Sequence, residues 1–466
     1  MQHTIQATIS ALPDDALLEI FKLYVDQIYR EDAWHTLVHV CRKWRYVVFA
    51  SPCWLHLELR CTDRRSVKKM LDVWPALPIV IDVQITKSQQ SGLPNIIAAL
   101  DQHDLVCGIK IRGVPNSLLE SAAIKRRFSK LTHLMLRSYE ENAPVIPDSS
   151  LDGSAPRLQS LEFTSIPFPA LGKLLLSATD LVTFRLFDIP NSGYILPELI
   201  VTSLSALPRL QELGIGFRSP RSRADRERRH PPPLKPLVLP TLTELYFKGD
   251  SEYLEDIVGG VNAPALDRVA ITFFNQLVFD APRLRVFFSC IQLLQRPLRA
   301  YVQLAQSHII FTLCRREGTV DHRTLEVGIS SSVPEWQLSS LAQFCGTSLP
   351  PLPTLEFLVI NGNLLGGELE EPTDDMESTP WLELLHSFVA VKDLYLSNHL
   401  VWHIALALLE LTDESVTEVL PALRQVFVDG LGPSRPIWQV FAPFITARQL
   451  SGHPVTLRPV GISERS

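Results

Sequence analysis

Apolar residues recur along this chain in a six-residue unit, L-x-x-φ-x-φ, where φ is apolar. It appears as Leu131/Leu134/Leu136, Leu158/Leu161/Phe163, Leu181/Phe184/Leu186, Leu210/Leu213/Ile215 and Leu242/Leu245/Phe247. It continues as Leu266/Val269/Ile271, Leu355/Leu358/Ile360, Val391/Leu394/Leu396 and Leu423/Val426/Val428. Alternate apolar positions predict a short strand with one buried face. A small residue or leucine followed by proline stands just ahead of many units, as at Ala155-Pro156, Leu207-Pro208, Leu239-Pro240, Ala263-Pro264, Ala281-Pro282, Leu352-Pro353 and Leu420-Pro421. Proline is tolerated at a strand's first residue, where no ladder donor is needed. Outer helices are expected over 170–178, 253–258, 338–344 and 381–389. The stretch 285–350 is least regular, with degenerate strands expected at 308–313 and 324–329. Upstream, the β-branched run 79–85 reads as a strand after a basic helical stretch holding Arg64, Arg65, Lys68 and Lys69.

The first sixty residues change period. Leu17, Ile20, Phe21 and Tyr24 fall on one helix face, with Pro13 in the first turn and Asp14 and Asp15 at the positive end of the dipole. A second helix places Trp34, Leu37, Val38, Cys41, Arg45 and Val48 on one stripe and Val40, Trp44 and Val47 on another. A helix apolar on two sides needs two surfaces to pack against. From the residues alone, the extra stripe packs either on the rest of the chain or on a partner.

Three segments of this region, Leu12-Pro13-Asp14-Asp15-Ala16-Leu17-Leu18-Glu19-Ile20-Phe21, Val40-Cys41-Arg42-Lys43-Trp44-Arg45 and Pro52-Cys53-Trp54, together resemble an F-box. The resemblance implies docking onto a Skp-family adaptor and, through it, the cullin and RING subunits of a ubiquitin ligase. The residues it assigns to adaptor binding are Leu12, Pro13, Leu17, Ile20, Phe21, Val40, Cys41 and Trp44. Under it, the extra stripe is a partner surface, with part of the module packed on the domain behind it.

The repeating strand unit, with several spacings near 23 to 32 residues, resembles the leucine-rich repeat. In regular members an asparagine or cysteine stands three residues after the last φ. Here only Asn363 does; Tyr139, Ile166, Ile189, Arg218, Asp250, Phe274, His399 and Leu431 occupy the other places. The array is therefore similar to the irregular leucine-rich-like domains behind many fungal F-boxes. The expected fold class is α/β, a helical F-box followed by an irregular leucine-rich-repeat solenoid. The expected layout is a tail at 1–8, the F-box at 9–60, a linker with the first strands at 61–125 and the repeat domain at 126–462. Insertions fall at 218–236 and 366–380.

At 466 residues the chain exceeds one ordinary compact core, and 46% hydrophobic with 20% charged residues is a folded composition. A net charge of −6 supplies no overall basic field, so nucleic acid is not an expected partner. The seven cysteines lack C-x-x-C spacing, which argues against a disulfide framework or a zinc knuckle. No signal-peptide pattern begins the chain, and its longest apolar run, 400–411, is far short of a membrane span. A cytoplasmic or nuclear location, without membrane partner, is expected.

The insertion 218–236 holds seven basic and two acidic residues, and 366–380 holds six acidic residues and none basic. Both read as solvated loops. His35/His39 and His399/His403 have helical spacing but lack a third ligand, so no metal or cofactor is expected. No P-loop, G-x-S-x-G or G-x-G-x-x-G occurs, and a non-catalytic receptor is expected. If φ positions point to the core, Arg185, Phe187, Tyr246, Lys248, Tyr395, Phe427 and Asp429 line the opposite sheet face. They either bind a target protein or lie beneath loops. The expected function is target recognition for the ligase; the alternative is a repeat scaffold that binds the adaptor without directing degradation.

Overall fold

The computed structural model describes residues 12–27, 33–52, 55–86, 92–140, 144–220, 236–274, 279, 281–291, 294, 297–315, 324–331, 334–362, 378–397, 400–411, 415–429 and 437–459. The chain forms two compact units, one comprising 1–140 with 149–157 and the other 141–148 with 158–466.

The first unit begins with helices α1 (Asp14–Gln27), α2 (Ala33–Val40) and α3 (Arg42–Ala50). The single helix expected through Cys41 is two. Cys41 takes an extended conformation (φ −158°, ψ 173°) and its Sγ accepts the Trp44 N–H at 3.4 Å, capping α3. Trp34, Leu37 and Val38 on α2 and Val47 and Val48 on α3 are all buried. Strands β1 (Leu59–Cys61), β2 (Ile79–Gln84), β3 (Val106–Arg112) and β4 (His133–Arg137) come next, each pairing in parallel with its successor. Helices α4 (Val67–Leu71), α5 (Leu93–Leu100) and α6 (Asn116–Glu120) lie in the connections. β1 lacks an apolar residue at the opening position of the unit, where His56 stands, and β3 fits it only as Val106/Ile109/Ile111, with valine in the leucine place as at Val391.

In the second unit, β5 (Ser160–Thr164), α7 (Leu171–Ser177), β6 (Thr183–Ile189), α8 (Pro197–Leu204) and β7 (Glu212–Phe217) give the repeat in its simplest form. A two-residue pair, β8 (Leu237–Val238) with β10 (Val261–Asn262), stands apart from the main sheet. β9 (Glu244–Gly249) and β11 (Arg268–Phe273) extend that sheet in parallel. All leucine and φ positions of the nine units, counting Leu131/Leu134/Leu136 in the first unit, are at most 6% exposed. Their burial is the main stabilising contribution of the array.

The repeat is interrupted where the sequence is least regular. From β11 the chain passes through the helix Pro282–Cys290 and lays β12 (Arg299–Ala305) three strand positions further along. β13 (His308–Cys314) returns antiparallel to it and β14 (Thr324–Ser330) reverses again, and the two fill the gap, so β14 pairs in parallel with β11 and β12 with β15 (Phe357–Gly362). The two residues between Ala305 and His308 make the hairpin turn. Ala281-Pro282, expected to open a strand, opens that helix instead, since proline suits a first helical turn equally. β16 (Asp393–Leu396), β17 (Gln425–Val428) and β18 (Thr456–Pro459) restore the parallel order.

Helices Ser251–Val258, Pro334–Thr347, Thr379–His386, Val401–Leu409 and Ile437–Leu450 stand between strands; the last four contact one another in succession, and Ser251–Val258 packs against α8 and Pro282–Cys290. The most apolar of them, Val401–Leu409, comes from the longest apolar run, and no helix among the described residues is long and apolar enough to cross a membrane. The expected insertions fall almost wholly outside the described residues, as do Cys53, Trp54, Asn363, His399 and Leu431.

Candidate functional site

The helical module divides the eight residues assigned to adaptor binding into three groups by exposure. Leu17 and Phe21 are fully buried in the module's own core, where the Phe21 ring lies 4.7 Å from that of Trp44. Ile20 is 42% and Val40 54% exposed, and Pro13 and Cys41 are exposed as well. Leu12 and Trp44 are half-buried. Lys43 explains how distant segments meet: its Nζ donates to the Leu12 carbonyl at 2.7 Å and lies 3.6 Å from Asp14. This pins the start of α1 to the start of α3, beside the Val40–Cys41 junction, while Arg45 Nε donates to the Val38 carbonyl at 3.0 Å. The module leaves several apolar side chains open to solvent, among them Ile20 and Val40. Trp34 packs on Phe49 and Trp74, and Trp74 also stacks on His35.

The second unit offers a sheet face. Parallel register places Glu162, Arg185, Gly214, Tyr246, Ala270 and Glu326 side by side from β5 to β14. The same row runs on through Thr312, Tyr301, Val359, Tyr395 and Phe427 to Arg458. Arg185, Tyr246, Tyr395 and Phe427 thus share one row, and Phe187 and Lys248 belong to the next, as strand alternation requires.

Arg185, Tyr246 and Lys248 on this face each approach a neighbouring carboxylate. Arg185 Nε donates to Glu212 at 2.6 Å, its Nη2 contacts the same carboxylate, and its Nη1 lies 3.6 Å from Glu162. Burial opposes the charge on Arg185, but the Glu212 hydrogen bond and charge outweigh it, and its pKa is raised. The Tyr246 hydroxyl donates to Glu244 at 2.6 Å, and burial together with that carboxylate pushes it up to about 12. Arg185 and Arg268 both approach the Tyr246 ring, at 5.8 and 5.5 Å. Lys248 lies 3.9 Å from Asp188. Further along, Tyr395 and Phe427 stack face to face at 4.4 Å, and Phe427 is only 8% exposed. Arg299 covers the Phe357 ring at 4.6 Å.

One part of this face escapes a reading of the sequence by repeat unit. Glu162, Glu212 and Glu244, the partners of Arg185 and Tyr246, alternate with φ positions and are legible by the same period. Gly214 gives no signal, although a Cβ there would come 3.1 Å from the Phe187 ring and 3.2 Å from Arg185 Cγ. Its missing side chain lets Phe187 lie across β7.

Among the described residues no group of three or more His, Cys, Asp or Glu side chains is placed to hold a metal ion. No family model matches the chain, and no curated protein matches it as a relative. Among solved structures the chain is similar to the leucine-rich repeat-containing protein LegL7 from Legionella pneumophila. That likeness is at 12% identity and a TM-score of 0.28, covering 85% of this chain and 98% of the other.

Proposed function

We propose that the chain is a non-catalytic receptor whose helical module docks an adaptor of the Skp family, while the sheet face of the second unit holds a protein target. The observation that carries this reading is the exposure of apolar side chains that the module could have buried. Pro13, Ile20, Val40 and Cys41 are exposed, outside the core formed by Leu17 and Phe21. A module of about fifty residues has little apolar surface to spare, so leaving this much in water points to a partner. The F-box resemblance of the same residues supplies the partner's class. Such a receptor acts by holding the target near a ubiquitin-charged enzyme, which raises effective concentration.

The test is co-purification of the full chain with a purified Skp-type adaptor, using Pro13→Glu with Val40→Glu. Both positions are exposed, so the double variant keeps its far-UV CD spectrum and loses the adaptor. A folded double variant that retains the adaptor overturns the assignment of this surface.

A further inference from the structure

The second unit also contains a cleft of about 520 Å³ between α7 and α8, its wall completed by the turn Asn191–Gly193 and Tyr194. That volume lies in the range of small-molecule sites, roughly 300–1,000 Å³. It exists because the facing helix surfaces are small: a Cβ at Gly172 would meet nothing nearer than Ser203 Oγ at 3.9 Å. Phe168, Leu175, Tyr194 and Ile200 make the walls apolar. Leu176 and Leu199 stand in the same lining, 57% and 54% exposed, so apolar surface on two neighbouring helices is left in water around one opening.

One charge marks the site. Lys173 is the only charged residue of the lining, which contains no carboxylate. Among the described residues Lys173 has no ion-pair partner, and it is exposed at the opening. The Thr202 hydroxyl, also in the lining, already donates to the Glu198 carbonyl at 2.7 Å. An extended peptide would find few backbone partners in such a wall.

We infer that this cleft binds a free, monomeric linear amphiphile, a single alkyl chain with an anionic head. The chain fills the space above Gly172 and the head pairs with Lys173. This site is independent of adaptor docking.

Calorimetric titration of the full chain with sodium decanoate, below its micelle concentration, tests it. One-to-one binding is expected. Gly172→Leu, which favours the helix while filling the cleft, weakens binding about tenfold or more. Lys173→Glu weakens decanoate about threefold and strengthens decyltrimethylammonium instead. Leu199→Glu, at the exposed rim, provides a second variant that weakens binding without touching the core. No binding by the parent chain, decanoate binding unchanged in folded Gly172→Leu and Leu199→Glu, or a head preference indifferent to Lys173→Glu each overturns the proposal. Flotation with phosphatidylserine vesicles separates the other occupant: vesicle capture lost in Gly172→Leu would replace a free amphiphile with a membrane.

Discussion

Arg448 is the largest charged side chain with no exposure, and among the described residues no carboxylate pairs with it. Its guanidinium donates instead to the carbonyls of Val416, Leu420, Pro421 and Leu423 at 3.1 to 3.3 Å. Burial lowers its pKa, yet arginine stays charged at any ordinary pH. The fork closes the loop before β17, where Leu420 adopts a positive φ of 48°. Arg448→Met should therefore lower stability by about 3 kcal/mol, read from the urea midpoint, because several buried acceptors lose their donor. Arg448→Lys should recover only part of it, since one ammonium does not span the same carbonyls.

The thiols give a second residue-scale prediction. Burial pushes Cys61 and Cys107 up to about 11 and Cys345 higher still, whereas Cys41 and Cys290 are exposed. Iodoacetamide at pH 8 should alkylate Cys41 and Cys290 in peptide maps and spare Cys61 and Cys345 until the chain unfolds. The same shifts have a sign for stability. A thiol raised in the folded state binds its proton there while the unfolded thiol, near 9, has lost it. The stabilisation from Cys61 and Cys107 is complete below pH 9 and lost as pH climbs through 11. Equilibrium unfolding at pH 8 and pH 10.5 checks this; equal stability attributable to these sites, shown by a Cys61→Ala variant with an unchanged pH slope, would contradict it.

At the scale of elements, the strand unit of the repeat was legible because burial has period two and proline marks the entry. Leu181, Phe184 and Leu186 could be placed in the core of β6 without a structure, and Arg185 and Phe187 on its other face. The helix break at Cys41 was not legible, because both stripes around it continue with helical spacing and the cap is a weak sulfur acceptor. The order of β12, β13 and β14 was also hidden. His308–Cys314 alternates like its neighbours, and nothing in that alternation says whether a strand runs parallel or antiparallel. On the sheet face, the pairing of Arg185 with Glu162 and Glu212 depends on which strands adjoin, and that comes only from the register. The close fit of Phe187 over β7 makes a clear prediction: Gly214→Val should force that ring aside and cost about 1–3 kcal/mol, seen as a lower thermal midpoint. An unchanged midpoint would mean Phe187 does not rest on β7.

For the molecule as a whole, the proposed roles fall on separate compact units. The first contains helices with apolar side chains open to solvent, and the second presents a sheet face on which Arg185, Lys248 and Tyr246 each approach a neighbouring carboxylate. A target on that face displaces few strong ion pairs when it reads shape and aromatic surface, so its binding should depend weakly on salt, whereas a phosphate-reading face would lose affinity steeply. The formal charge of −6 agrees with a receptor that does not rely on long-range attraction to acidic polymers. The proposed receptor function rests above all on adaptor docking. A titration of the full chain with purified Skp-type adaptor, comparing the parent with Val40→Glu and with Leu450→Glu as a control elsewhere, 85% exposed, addresses it without intermediaries. Saturable binding that Val40→Glu abolishes and Leu450→Glu leaves intact is expected; no binding by folded parent chain, or equal binding by all three, would contradict adaptor docking through this surface.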